Sequence, residues 1–237
     1  MQANPTIPGL GTVLGVWAHP DDEAFLSAGL MALARRHGQR VVVVTATAGE
    51  DGGDASVRRQ ELAASLAAVG VTEHRWLGFA DGRCADVPLA LGRQAVADVI
   101  DEVCPDTILT FGPDGLTGHR DHSAISAWAT AAWQDTGHQG RLWHATFARS
   151  FHCRWGAVLD GLGVWMEGAQ PPATPASRLA MDCVCSGALL ETKVAALRAH
   201  ASQTSSMLAM LGEVAFAELW SAESFVAAPA AVSAQAA

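Results

Sequence analysis

The sequence predicts one α/β domain built on a mostly parallel sheet, and three observations carry that prediction. Short runs that are apolar throughout, at residues 12–18, 41–47 and 107–111, read as strands buried on both faces. Segments of helical periodicity separate them, and strand–helix–strand alternation implies a sheet with right-handed crossovers. The chain has 237 residues, of which 50% are hydrophobic. That suits one large domain and excludes intrinsic disorder.

The elements follow in order. The first strand, 12–18, ends at His19-Pro20-Asp21-Asp22, and residues 23–37 then place Phe25, Leu26, Leu30 and Leu33 at helical spacing, with Gly38 as a stop. The strand at 41–47 leads into a glycine-rich loop, 49–54. A helix at about 56–69, a strand at about 74–79 and a helix at 90–104 come next, the last followed by Pro105. The strand 107–111 and a loop, 112–118, lead to a helix at about 121–133. Beyond Arg141 the pattern weakens. Residues 142–151 read as a further strand, 171–175 as a proline-rich break, and Cys183-Val184-Cys185 as strand with two small half-buried residues. Residues 188–211 read as one long amphipathic helix. One domain over 1–226 is expected, with 227–237 an alanine-rich, flexible tail.

In open parallel sheets, ligands bind beyond the carboxyl ends of the strands. Two polar loops are placed there: His19-Pro20-Asp21-Asp22-Glu23 after the first strand, and His119-Arg120-Asp121-His122 after the strand at 107–111. His19 and Asp22 lie three residues apart around a strand-to-helix turn, so imidazole and carboxylate point the same way. One histidine from the second loop completes two nitrogens and a carboxylate. That donor set suits a catalytic zinc ion with an open position, and also Fe(II). Asp21 and His119 are then left beside the metal for proton transfer. The competing reading makes Asp21 or Asp22 a cap of its helix, and Asp121 the cap of the second helix. The first strand is not followed by G-x-G-x-x-G, and the loop Gly49-Glu50-Asp51-Gly52-Gly53-Asp54 is too acidic to cradle phosphate.

The hexapeptide Ala18-His19-Pro20-Asp21-Asp22-Glu23, followed by His119-Arg120-Asp121-His122, closely resembles the PIG-L/LmbE-like family of zinc-dependent N-deacetylases. Arg58-Arg59-Gln60-Glu61-Leu62, Leu77-Gly78-Phe79-Ala80-Asp81-Gly82 and the element from Lys193 to His200-Ala201-Ser202-Gln203 extend the resemblance over most of the chain. It implies a Rossmann-like three-layer domain that removes an N-acyl group, an N-acetyl above all, from an amino-sugar conjugate. His19, Asp22 and His122 would hold Zn2+ (or Fe2+), Asp21 would be the general base on water at the metal, and His119 would stabilise the oxyanion or protonate the amine. Arg58 and Asp81 would contact the substrate, with Thr117 and His200 as further candidates at the site. Members that act on N-acetylglucosaminyl-inositol carry Tyr two residues before the first histidine of the second motif. This chain has Thr117 there and no tyrosine anywhere. A same-fold amidase acting on a thiol-linked or antibiotic-like conjugate is the second reading, and a catalytically silent, metal-stabilised binding protein the third.

Composition narrows the partners. With 24 Asp+Glu against 15 Lys+Arg, the net charge of -9 argues against nucleic acid, which needs a basic face. Glu50, Asp51 and Asp54 beside the site favour a neutral or cationic substrate over a phosphorylated one. Five scattered cysteines fit a reducing compartment. With no signal segment and no membrane span in sight, a cytoplasmic enzyme for a small molecule is expected. Nothing in the sequence sets an oligomeric state. Lys193, the only lysine, reads as a surface charge or a local hydrogen-bond donor, and Trp155 and Trp165 as candidates for a substrate wall.

Overall fold

The computed structural model describes residues 9–137 and 139–229. Its sheet has seven strands: β1 (Val13–Trp17), β2 (Val41–Thr45), β3 (Glu73–Trp76), β4 (Thr107–Phe111), β5 (Arg141–Thr146), β6 (Met181–Val184) and β7 (Ala222–Ala227). The helices are α1 (Asp22–Arg36), α2 (Ala55–Ala68), α3 (Leu89–Val103), α4 (Arg120–Asp135), α5 (Arg149–Gly161), α6 (Gly187–Ala199) and α7 (Ala201–Leu219). The sheet order is β3-β2-β1-β4-β5-β7-β6. The five strands from β3 to β5 are parallel; β7 runs antiparallel to both β5 and β6.

Every residue of β1, β2 and β4 is buried, because helices cover both faces of the sheet. α1 packs on β1, β2 and α6, while α3 and α4 pack on each other and on β1. Val13, Leu14, Val16 and Trp17 are all at most 1% exposed, and burial of such side chains contributes about 1.5–3 kcal/mol each. Trp17 meets Phe111 edge-on at 5.1 Å, tying β1 to β4. Chain order reverses between these two strands: β1 leads to β2 on one side, while β4 continues on the other. The loops after β1 and β4 therefore border one crevice, the place where such sheets bind ligands.

The second half corrects several expectations. Only the first part of 142–151 is strand; Phe151, Trp155 and Leu159 recur every four residues and belong to α5. The expected helix at 188–211 is two helices that meet at His200, which has non-helical backbone angles (φ -82°, ψ 54°). α7 then runs on to Leu219, with a further kink at Gly212. Ala227, at the expected start of the tail, is the last residue of β7, and residues 230–237 lie outside the described residues.

Lys193 is fully buried, not on the surface. Its ammonium donates to Glu223 Oε1 at 2.6 Å and to the Phe25 carbonyl at 2.8 Å. The same carboxylate accepts the backbone N–H groups of Gly29 (2.7 Å) and Leu30 (2.8 Å) in the middle of α1. This approach requires glycine at 29, since a Cβ there would lie 2.2 Å from Cys185 Sγ. α1 is thus fastened to α6 and β7 by one buried ion pair. Among the described residues, no helix is long and apolar enough to cross a membrane.

Candidate metal centre

The two polar loops meet as the sheet topology requires. His19 follows β1; Asp22 is the first residue of α1; His122 lies in the first turn of α4. His122 Nε2 is 3.2 Å from His19 Nδ1, and the Asp22 carboxylate lies 3.5 Å from that His19 nitrogen and 3.4 Å from His122 Nε2. The far side of each imidazole is held. His19 Nε2 faces Asp81 Oδ1 at 2.9 Å and Asp121 Oδ2 at 3.4 Å. His122 Nδ1 lies 3.1 Å from the Gly115 carbonyl and 3.3 Å from Thr117 Oγ1, and the ring stacks on Phe111 at 4.0 Å. Acceptors behind the rings hold a proton on the far nitrogen of each, so the nitrogens that would bind a metal, once unprotonated, are those that face Asp22. Three lone-pair donors then face one point, which fits a divalent ion such as zinc.

The charges follow from these contacts. Burial opposes ionisation of Asp22, but His122 and His19 outweigh it and hold the carboxyl below its usual range. Burial also works against a charged His19, yet Asp121, Asp22 and Asp81 raise its pKa well above 6.5. His122 is pushed down to about 4, by burial first and then by the neighbouring His19 and His119, against the pull of Asp22. Beside them, burial and the charge of Asp22 push the Asp21 carboxyl up to about 7, although Arg58 opposes this.

Asp21 sits at the start of α1 with φ 127°, outside the regions open to most L-residues. Such strain costs on the order of 1–3 kcal/mol. Four groups sustain it. Its backbone N–H donates to Glu23 Oε2 at 3.0 Å, its carbonyl accepts from the N–H groups of Ala24 at 2.8 Å and Phe25 at 3.0 Å, and its carboxylate accepts from Arg58 Nη2 at 3.1 Å. Its side chain makes no cap bond to α1, so the capping alternative is not what the structure shows. His119 is the N-cap of α4: its Nδ1 accepts the Asp121 N–H at 3.2 Å. Its ring lies 4.8 Å from that of His19. Burial and His19 lower its pKa, so a neutral ring carries its proton on Nε2.

The other candidates fall into two groups. Thr117 and His119 line the cavity over the cluster, together with Asp51, Asp81 and Arg58. Arg58 is 3% exposed, and its Nη atoms are taken by the carbonyls of Gly49 (2.7 Å) and Pro20 (2.6 Å) and by Asp21. Arg59 is exposed and stacks over Trp76. Asp81 accepts the backbone N–H groups of Asp51 and Gly82, each at 2.9 Å, while holding His19. His200 is fully buried behind the cavity, 2.7 Å from Glu23 Oε1, which also accepts from Ser65 Oγ at 2.7 Å. Trp165 backs the cavity through Phe147 at 5.6 Å, and Trp155 packs under the guanidinium of Arg154. Of the acidic loop, Asp51 reaches the cavity; Asp54 caps α2 and Glu50 accepts the Asp81 N–H.

Two residues acquire parts that the sequence did not assign. Asp121 does not cap its own helix: it accepts the backbone N–H groups of Gly82 (2.8 Å) and Cys84 (3.0 Å) and backs His19. Glu23 is fully buried and holds Asp21. Its signal was available, because it shares one buried stripe of α1 with Ser27, Leu30 and Ala34. A second buried group, Cys183, Cys185 and Glu223, also has metal-compatible spacing, but its carboxylate is engaged with Lys193 and α1.

Comparison with known proteins agrees with this architecture. A 1D-myo-inositol 2-acetamido-2-deoxy-alpha-D-glucopyranoside deacetylase of Saccharomonospora viridis is 34% identical over 227 residues, covering 81% of this chain and 84% of the relative. A conserved protein from Thermus thermophilus has the same fold, with a TM-score of 0.61 at 24% identity over 92% of this chain and 94% of its own. So has an N,N'-diacetylchitobiose deacetylase from Pyrococcus horikoshii, with a TM-score of 0.59 at 19% identity over 92% and 84%. The family model for PIG-L, GlcNAc-PI de-N-acetylase, matches residues 14–133, the stretch that carries both polar loops. The chain belongs to the PIG-L family of de-N-acetylases.

Proposed function

We propose that this protein is a zinc-dependent hydrolase that removes an N-acetyl group from an amino-sugar conjugate. The observation that carries the reading is the convergence of His19 Nδ1, His122 Nε2 and the Asp22 carboxylate, with Asp21 beside them. These three residues would hold the ion, which supplies Lewis acidity toward water and the amide carbonyl. Asp21 takes the proton from the attacking water and delivers it to the departing nitrogen, the two transfers an amide hydrolysis requires. Arg58 keeps the Asp21 carboxylate aimed at the cavity. The His119 Nε2–H donates to the carbonyl oxygen as negative charge develops on it, the part of an oxyanion-hole donor. Asp81 and Asp121 hold His19 in its ligating tautomer.

The amino-sugar assignment draws on the names of the relatives, among them an acetamido-glucopyranoside deacetylase. Thr117 leaves the donor position of a tyrosine without a phenol, so on the protein side the oxyanion is held by His119, alone or with the help of the Thr117 hydroxyl. The test is a panel of N-acetylated sugars, inositol glycosides and aminoglycoside precursors, with the free amine detected and zinc quantified. No release from any of them, or full activity in zinc-free protein, overturns the reading.

A further inference from the structure

A second cavity, of about 1210 Å³, borders the loop that follows β4. It is larger than the ~300–1,000 Å³ of most small-molecule sites. It shares no lining residue with the cavity over the metal centre. Gly112, Pro113 and Asp114 line the second cavity, while Leu116, Thr117 and His119, a few residues on, line the first. β5 and β7 contribute His144, Thr146 and Val226, α4 contributes the face that carries Ser123, Ser126, Thr130 and Gln134, and the segment 172–180 completes the enclosure.

That segment is pinned at both ends. Thr174 donates its N–H to the Phe147 carbonyl at 2.9 Å and accepts the Arg149 N–H at 2.7 Å, and its hydroxyl lies 2.7 Å from that of Thr146. The Ala180 N–H donates to the Phe225 carbonyl at 2.8 Å. The enclosure is therefore tied to β7 and to the connection between β5 and α5.

The cations set this cavity apart. Arg149, the first residue of α5, and Arg178, in a short 3-10 turn (Ala176–Arg178), both line it and are exposed. Among the described residues neither guanidinium has a carboxylate, carbonyl, hydroxyl or ring partner. Every other arginine of the chain has one. Carboxylates are plentiful in a chain of net charge -9, yet these two forks remain free for an outside anion, which a guanidinium binds through paired N–H groups. Arg149 also stands in the first turn of a helix, where the dipole disfavours a cation. An anion beside it removes that penalty.

The other polar groups of the lining suit hydroxyls. Ser126 is 1% exposed, and its hydroxyl has no partner among the described residues. His144 is 5% exposed; its Nε2 lies 3.2 Å from Thr130 Oγ1, and its Nδ1 has no partner among the described residues. Burial lowers its pKa, against the pull of Asp114, so the ring is neutral near pH 7. Asp114 is the one carboxylate of the lining: its Oδ1 accepts the Leu116 N–H at 2.8 Å, and a carboxylate has further lone pairs for a hydroxyl donor. Neither Phe nor Trp lines the cavity, so it has no platform for a nucleobase.

We propose that this cavity is a second binding site, separate from the metal centre, for a small phosphorylated polyol: Arg149 and Arg178 hold the phosphate, and Ser126, His144 and Asp114 take up hydroxyls. It stands independently of the chemistry assigned to the His/Asp cluster.

Calorimetry on zinc-loaded protein measures glycerol 3-phosphate, ribose 5-phosphate and glucose 6-phosphate against glucose, inorganic phosphate and AMP. The tightest of the three polyol phosphates binds at least roughly tenfold more tightly than glucose or inorganic phosphate, and AMP gains nothing over ribose 5-phosphate. Arg149→Gln and Arg178→Gln each weaken that binding by about tenfold. Both side chains are exposed and unpaired, so thermal midpoints without ligand stay at the wild-type value. Arg93→Gln, which breaks an exposed pair with Asp135 outside the cavity, leaves the affinity unchanged. Binding also persists in protein stripped of zinc, which separates it from phosphate held on the metal. Absence of binding by all three polyol phosphates, equal affinity for glucose or inorganic phosphate, a preference for AMP over ribose 5-phosphate, undiminished affinity in both arginine variants, or loss of binding with the zinc overturns the proposal.

Discussion

His200 Nε2 lies 2.7 Å from Glu23 Oε1, and the other oxygen of that carboxylate accepts the backbone N–H of Asp21 at 3.0 Å. A residue late in the chain thereby holds the strained backbone of Asp21 without lining the cavity. Burial opposes a charged His200, but Glu23 outweighs it and raises the histidine pKa. His200→Ala is expected to lower kcat by roughly 10–100-fold, with zinc content retained and KM little changed. His200→Gln, which can still donate to Glu23, restores part of the loss. Steady-state kinetics with metal analysis check this; loss of zinc in His200→Ala would assign the residue to the ligand shell instead.

The donor set and the base separate in a second experiment. His19→Ala, Asp22→Ala and His122→Ala should each lose bound zinc. Asp21→Asn should keep it and lose about 10²–10⁴-fold in kcat. Full metal content in any of the first three removes that residue from the ligand set.

Lys193→Met leaves the Glu223 carboxylate buried without its cation, which costs about 3–5 kcal/mol. Removing both charges in Lys193→Met/Glu223→Gln should cost less, since the amide oxygen can still accept one of the α1 N–H groups. Urea unfolding midpoints of the two variants give the order, and the reverse order contradicts the role of the pair.

His74 sets a pH dependence. Burial lowers its pKa from 6.5 to about 4 in the folded chain, where its Nε2 pairs with Thr45 Oγ1 at 2.9 Å. Above pH 6.5 the ring is neutral folded or unfolded. Below that the unfolded chain binds the proton first, so stability falls as pH drops from 6.5 toward 4. The full loss is on the order of 2–3 kcal/mol after allowing for partial exposure. His74→Asn should show a shallower fall than wild type when urea midpoints at pH 7 and pH 4.5 are compared.

β1, β2 and β4 were legible because they are uninterrupted apolar runs, and the candidate site because His19, Asp22, His119 and His122 lie on the connections that follow β1 and β4. The rest depends on partners distant in sequence. Lys193 reads as a surface charge or a local hydrogen-bond donor until Glu223, 30 residues on, is beside it. Asp121 reads as a cap until Gly82 and Cys84 supply their N–H groups. The break at His200 has no glycine or proline to mark it, and the partner of the histidine there, Glu23, lies 177 residues away in sequence. α5 begins only three residues after β5, so its first residues, through Phe151, read as a continuation of the strand.

The fastening of α1 by Glu223 has a consequence for biogenesis. α1 leaves the ribosome long before β7, which carries Glu223. At synthesis rates of about 5–20 residues per second, the helix that begins with Asp22 waits on the order of ten seconds for its anchor. The packing of α1 is therefore completed only once β7 has been made, and a nascent chain that stops short of β7 carries the helix that begins with Asp22 without that anchor.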